Sequence, residues 1–300
     1  MWLFPRLSSP QPVLVSIAKE TSNNDKLTQA LHRAADLADP KIRRRFREAA
    51  DKLTDYDEQE LVDALQRGDL NRALFILNIQ DFPALFLTVS PEITALAIRA
   101  VEITLANLAT RRVQVDIVRV NPRAVAWARR YSSKLVVEIG DTTREALRTI
   151  IADGLQAGNN PRVIARDIRQ VIGLNTQRAK AVQNYRTRLE AAGEKGIERK
   201  VERHAAKQLR DRAETIARTE AINSVSAARY IAMDTAYDLG QLPRSVKRKW
   251  IPAANACPKV CAPMRGQVVG MKEDFIAGDG RRIKHPGAHV LCRCSEATVF

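Results

Sequence analysis

The sequence predicts a mainly α protein: multi-helix N-terminal and central regions, then a small α+β terminal unit that a bound zinc ion would stabilise. Three observations lead there. Apolar residues recur at helical spacing from Leu27 to Leu239. All four cysteines (Cys257, Cys261, Cys292 and Cys294) fall in the last fifty residues, with His285 and His289 between the pairs. The same tract is rich in glycine and proline, the composition of turns rather than long helices.

The elements follow from their caps and stripes. Leu27, Leu31, Ala34, Ala35 and Ala38 make one helical face, expected to stop at Asp39-Pro40. Asp39 would cap a second helix whose face is Ile42, Phe46, Ala49, Ala50 and Leu53, with Pro40 in its first turn. Asp57 opens a helix that Gly68 closes, and Ser90-Pro91 opens a long one with Ile98, Val101, Leu105 and Leu108 in line. Arg99, Glu102 and Asn107 interrupt that apolar tract, so no membrane span is expected. Val113, Val115 and Ile117 alternate with polar residues as a short strand or linker. Asn121-Pro122 would start the next helix and Gly140-Asp141 break it. Thr142 and Glu145 have capping-box spacing for a helix facing inward through Leu147, Ile150, Ile151 and Leu155. Asn160-Pro161 to Gly173 completes a helical hairpin. From Gln177 to Arg218 the chain is polar and basic, with a bend at Gly193 and Gly196, and is expected to be an arm. A strong helix from Ala213 to Leu239 ends at Gly240. The implied division is 1–112, an N-terminal helical docking domain; 113–175, the hairpin region; 176–241, the basic arm and following helix; and 242–300, the terminal unit.

Charge divides the chain differently from hydropathy. The net charge is +15, yet residues 1–112 carry 15 basic and 15 acidic side chains, so the whole excess lies beyond Arg112. A neutral half is suited to protein partners and a basic half to a polyanion, of which nucleic acid is the expected one. Arg199, Lys200, Arg203 and Lys207, with Arg244, Lys247, Arg248 and Lys249, are the expected contacts to duplex DNA phosphates. A basic surface serving solubility alone is the plainer alternative.

Thiolate and imidazole are the ligands that zinc prefers, and paired short spacings let two ligands of one turn meet two of another. Four of Cys257, Cys261, His285, Cys292 and Cys294 would hold the ion, with His289 as a substitute for His285. Reduced cysteines packing a small core, or a disulfide, are the competing readings. No Ser–His–acid, paired-carboxylate or phosphate-loop pattern appears beside Arg218, Thr219, Asn223 and Arg229 of the helix before the terminal unit.

These pieces together resemble the phage Mu F-like minor head protein (head morphogenesis) family of tailed phages. The resemblance covers roughly residues 115–298. It runs through Gly154-Leu155-x2-Gly158, Ala217-Arg218-Thr219-Glu220-Ala221, Lys249-Trp250, Gly266-Gln267 and His285-Pro286 to Cys292-Arg293-Cys294. Within those motifs Arg218, Glu220 and Trp250 read as structural. The resemblance implies a minor capsid protein inside the virion near the portal vertex, met in the host cytoplasm during assembly. It implies portal or capsid proteins and double-stranded DNA as partners, a role in assembly, packaging or ejection, no membrane and no enzyme activity. From another class, a zinc-supported DNA nuclease is the alternative; against it, His285 and His289 lack an adjacent acid to orient a general base.

Overall fold

A computed structural model describes residues 17–78, 87–113 and 117–300, together with residues 84 and 115. The protein is mainly helical with a small stranded C-terminal region. Among the described residues there are eight α-helices: α1 (Ile17–Lys52), α2 (Glu58–Gln66), α3 (Leu70–Ile76), α4 (Ser90–Thr110), α5 (Ile117–Gln156), α6 (Pro161–Val171), α7 (Thr176–Ala191) and α8 (Ile197–Asp238). Asp57, Asn160 and Asn175 cap α2, α6 and α7 by accepting backbone N–H groups, which satisfies donors that a helix start leaves open. Gly240, at φ +69°, follows the end of α8.

Three expected breaks are absent. α1 runs unbroken through Asp39-Pro40. An internal proline costs a helix about 3 kcal/mol. Leu27, Leu31 and Ala35 before it and Ile42, Phe46 and Ala49 after it all enter one core, and burial of a large apolar side chain returns about 1.5–3 kcal/mol each. A continuous helix keeps both stripes inside. α5 likewise passes Asn121-Pro122 and Gly140-Asp141, with Ala124, Ala128, Ile139 and Leu147 all buried. The alternating stretch before it does not end as a strand, because Ile117 already belongs to α5; Gln114 and Asp116 lie outside the described residues.

The basic stretch from Gln177 is no solvated arm. α7 and α8 turn back on one another at Gly193 and Gly196 and bury Ala179, Val182, Val201 and Ala205. One core extends from Leu27 through Ala100, Ile150 and Val182 to Ala232, so the boundaries expected at 112 and 175 fall inside a single packing unit. α4 is long and apolar enough to cross a membrane by length and composition. Here its Ile93, Leu96, Ala97, Ala100 and Val101 are buried in the bundle.

The C-terminal unit has a second small core of Trp250, Cys261, Met264, Phe275, Cys292 and Cys294. Its sheet is antiparallel with order β2–β1–β5, where β1 is Lys247–Ile251, β2 Val268–Gly270 and β5 Ser295–Val299; β3 (Phe275–Ile276) pairs with β4 (Arg282–Ile283). Alternation along β1 turns Arg248 and Trp250 inward and Lys247, Lys249 and Ile251 outward.

Candidate metal centre and polar docking seam

The cysteine-rich unit builds its centre from two segments. Cys257 and Cys261 share one turn, in which the backbone N–H of Cys261 donates to the Cys257 carbonyl at 3.0 Å. Cys292 and Cys294 lead into β5. The sulfurs of Cys261, Cys292 and Cys294 lie within 4.8 Å of one another, all three residues are buried, and the group can hold a metal ion. Cys261 Sγ and Cys292 Sγ are 3.8 Å apart. Two ligands at tetrahedral angles, each about 2.3 Å from an ion, sit about 3.8 Å apart, whereas a disulfide needs about 2.05 Å.

The electrostatics of the trio fit the same reading. A side-chain hydrogen bond from Cys294 is the largest influence lowering Cys292 to about 5, and backbone N–H groups of Cys294, Gly287 and Ala288 add to it. Burial pushes Cys261 up to about 12, and the bond to Cys292 pushes Cys294 upward. These opposite shifts favour a single thiolate, on Cys292, over three. A divalent ion would let the others lose their protons.

The expected ligand set is therefore revised. His285 is not part of the group: its Nδ1 lies 2.9 Å from the Pro286 carbonyl oxygen and its ring packs against Tyr230 at 6.3 Å. Burial is the main cause lowering its pKa. Cys257 stands outside the trio, half-buried one turn from Cys261. His289, also outside it, has Nδ1 2.8 Å from the Val290 carbonyl oxygen and a buried Nε2 with no hydrogen-bond partner.

Arg293, between two cysteines of the trio, makes a two-pronged ion pair with Asp36 of α1 at 2.8 and 3.2 Å. Asn24 of α1 treats β5 as a strand would: its side chain donates to the Thr298 carbonyl and accepts from the Thr298 N–H. From α8, Arg229 reaches Thr298 Oγ1 and the Glu296 carbonyl, and Thr219 Oγ1 accepts the Leu291 N–H at 3.0 Å. Two long helices thus hold the terminal unit through polar contacts. Arg218 pairs instead with Glu214 at 2.8 Å and with Asp39 of α1 at 3.8 Å.

Arg248 cannot be a DNA contact. It is 1% exposed, lies between the rings of Tyr230 and Phe275, pairs with Glu296 at 3.2 Å and donates to the Lys284 and Glu273 carbonyls. The arrangement explains its burial, since a guanidinium taken from water must be paired and hydrogen-bonded. Trp250 is fully buried edge-on to Phe275 at 5.2 Å. Glu220 is buried and accepts the Tyr131 hydroxyl at 2.5 Å, pinning α8 to α5. Desolvation raises its pKa to about 7.

The remaining basic residues fall in two places. Arg199, Arg203 and Lys207 are exposed at successive turns of α8, while Lys200 is half-buried and tied to Glu194 at 2.6 Å. Arg244, packed over the Tyr237 ring, and Lys247 and Lys249 lie beyond the other end of α8. At 1.5 Å per residue the two groups are roughly 50 Å apart along the helix. They do not form one continuous patch. Sequence reasoning also missed Arg212: it is buried, donates to Thr142, Thr143 and the Gly173 carbonyl, and joins α8 to α5 and the α6–α7 turn. No signal in the basic run distinguished it from its exposed neighbours.

Compared with protein-family models, with curated proteins and with solved structures, the chain finds no match.

Proposed function

We propose that the chain is a minor head protein of a tailed phage, of the phage Mu F-like kind, inside the head near the portal, where it binds DNA without sequence preference and aids assembly, packaging or ejection. The observation that supports this reading most is the way the dispersed motifs meet. The Arg-Thr-Glu helix and the Cys-Arg-Cys segment, seventy residues apart in sequence, dock directly through Thr219 and Leu291. The protein-docking surface is assigned to the first 112 residues, which expose Leu37, Phe75 and Leu87. Duplex DNA is assigned to the Arg199, Arg203 and Lys207 stripe, with Arg244, Lys247 and Lys249 as a second contact.

The ion in the cysteine trio is zinc on this reading, because a buried, thiolate-rich, four-coordinate set is its structural environment. Its role is to lock the terminal unit, because a fourth protein ligand beside the three buried cysteines closes the coordination and leaves no position for substrate. Cys257 supplies the fourth ligand by a side-chain rotation from the turn it shares with Cys261. Elemental analysis of the purified full-length chain should give one zinc per chain. A chain that is folded, reduced and free of metal would refute the assignment. Incubation with plasmid and Mg²⁺ separates this reading from a zinc-supported nuclease: the DNA should shift on a gel but remain uncut.

A further inference from the structure

The cysteine trio and the seam that joins the terminal unit to the helices use the same stretch of chain. α1 reaches the terminal unit through Arg293 and Thr298. α8 reaches the same stretch through Leu291, Glu296 and Thr298. Cys292 and Cys294 lie between these contacts. Their partner Cys261 comes from a turn that, among the described residues, no hydrogen bond or ion pair joins to a helix. An ion held by the trio therefore ties a part of the terminal unit that the helices do not hold to a part that they do.

Arg293 is placed to carry that connection. Burial alternates along Cys292-Arg293-Cys294, so the two sulfurs turn inward while the guanidinium turns out toward α1. Asp36 meets it with both carboxylate oxygens, at 2.8 and 3.2 Å. Such a two-pronged pair fixes direction as well as distance. Asp36 stands on a firm support, because Leu31 and Ala35 of the same helix are buried in the main core. One turn earlier on α1, His32 lines a small cavity together with Cys294 and Ser295. The helix thus lies against the trio itself.

The backbone leading into Cys292 is constrained as well. Gly287 lies so close to Asn223 of α8 that a Cβ there would sit 1.9 Å from its Oδ1. Leu291 is held at φ +59°, a conformation a leucine avoids unless its surroundings enforce it. Its N–H is taken by Thr219 at 3.0 Å. A shift of this segment on the helices would move two of the three sulfurs.

We propose that Asp36 is a positioning residue of the metal centre, acting through Arg293 on the Cys292 and Cys294 sulfurs, and that ion binding and docking of the terminal unit are one coupled equilibrium. The inference rests on the zinc reading of the trio. Outer partners that orient metal ligands change affinity by about 10- to 100-fold when they are lost. The Asp36–Arg293 pair is partly exposed, which weakens it. The expected effect is therefore smaller, about 3- to 10-fold. Coupling is reciprocal, so a seam that favours the ion is in turn favoured by it.

The test is competition titration of the full-length chain against a chelator, with Zn²⁺ and with Co²⁺, the latter followed by its thiolate charge-transfer absorption. Asp36→Asn should lower the affinity about 3- to 10-fold and shift the cobalt spectrum, since the sulfurs are less well aimed. Asp36→Glu keeps the carboxylate and should retain most of the affinity. Glu102→Gln removes a comparable exposed ion pair, with Arg99 of α4, and should change neither readout. Hydrogen exchange measures the reciprocal effect in the unaltered chain. The amides of Leu291 and Thr298, bonded to Thr219 and Asn24, should exchange at least about 5-fold faster without metal than with it. Equal affinity and spectrum for the wild type and Asp36→Asn, or exchange at these amides indifferent to metal, would overturn the coupling and leave the zinc assignment standing. A wild-type chain that binds no metal would overturn both.

Discussion

Glu220 shows how a single buried carboxyl links the sequence to a solution property. Desolvation raises its pKa from 4.5 to about 7 in the folded chain, while unfolding returns it to water. The folded state therefore binds the proton more tightly. Its contribution to stability is complete below pH 4.5 and is lost as pH rises through about 7, a difference of about 3 kcal/mol. Glu220→Gln keeps a hydrogen-bonding group beside Tyr131 without the charge. Chemical denaturation between pH 5 and 8 should show the variant with a flatter pH profile and greater relative stability at pH 8; parallel profiles would contradict the assignment. Arg212 poses the opposite case, a buried cation whose partners are hydroxyls and a carbonyl. Arg212→Ala leaves those partners to be satisfied otherwise and should cost about 3 kcal/mol or more in denaturant unfolding. Neither role could be read from composition. Arg212 and Arg248 look like their exposed neighbours in a basic run, and only the three-dimensional neighbourhood separates a pin from a phosphate contact.

At the level of elements, the sequence located most helical faces and several caps, and missed where the long helices continue. The stripes Leu27–Ala35 and Ile42–Leu53 were both legible, yet Pro40 suggested two helices. Local propensity favours a break there by about 3 kcal/mol, and burial on both sides of Pro40 overrides it. The cysteine cluster was legible for the same reason that the histidines misled. Spacing shows which residues are near in sequence, whereas His285 turns toward Tyr230 and leaves the sulfurs. A cobalt or zinc titration on variants addresses the fourth ligand. Cys257→Ser should lower metal affinity at least about 10-fold, and His289→Ala should leave it nearly unchanged. The reverse order would move the ligand to His289. Because Cys261 and Cys294 must lose protons to bind an ion, affinity should fall as pH falls toward 5. On α8, Arg199→Gln, Arg203→Gln and Lys207→Gln together should reduce DNA affinity and the salt slope by up to about 0.9 per lost phosphate contact. An unchanged slope would place the DNA elsewhere.

Across the whole molecule, charge and packing divide the chain differently. The excess charge lies beyond Arg112, but α1 and α4 share their core with α5 and α8, and α1 holds the terminal unit through Asn24 and Asp36. A truncation to residues 113–300 removes Leu31, Ile42, Phe46, Ile93 and Val101 from that core, so the fragment should be insoluble or lack a cooperative melting transition. A well-folded fragment would show that the halves are independent after all. The docking role proposed for the first 112 residues belongs to their outward faces, where Leu37 and Phe75 are exposed, and is best tested in the intact chain. The proposed function places this molecule inside the phage head. Quantitative mass spectrometry of purified, DNA-filled particles from the phage that encodes the chain measures that directly. The account predicts the full-length protein at a low, constant number of copies per portal, protected from added protease until the particles are opened. Its absence from particles assembled in cells that make it abundantly would contradict the account.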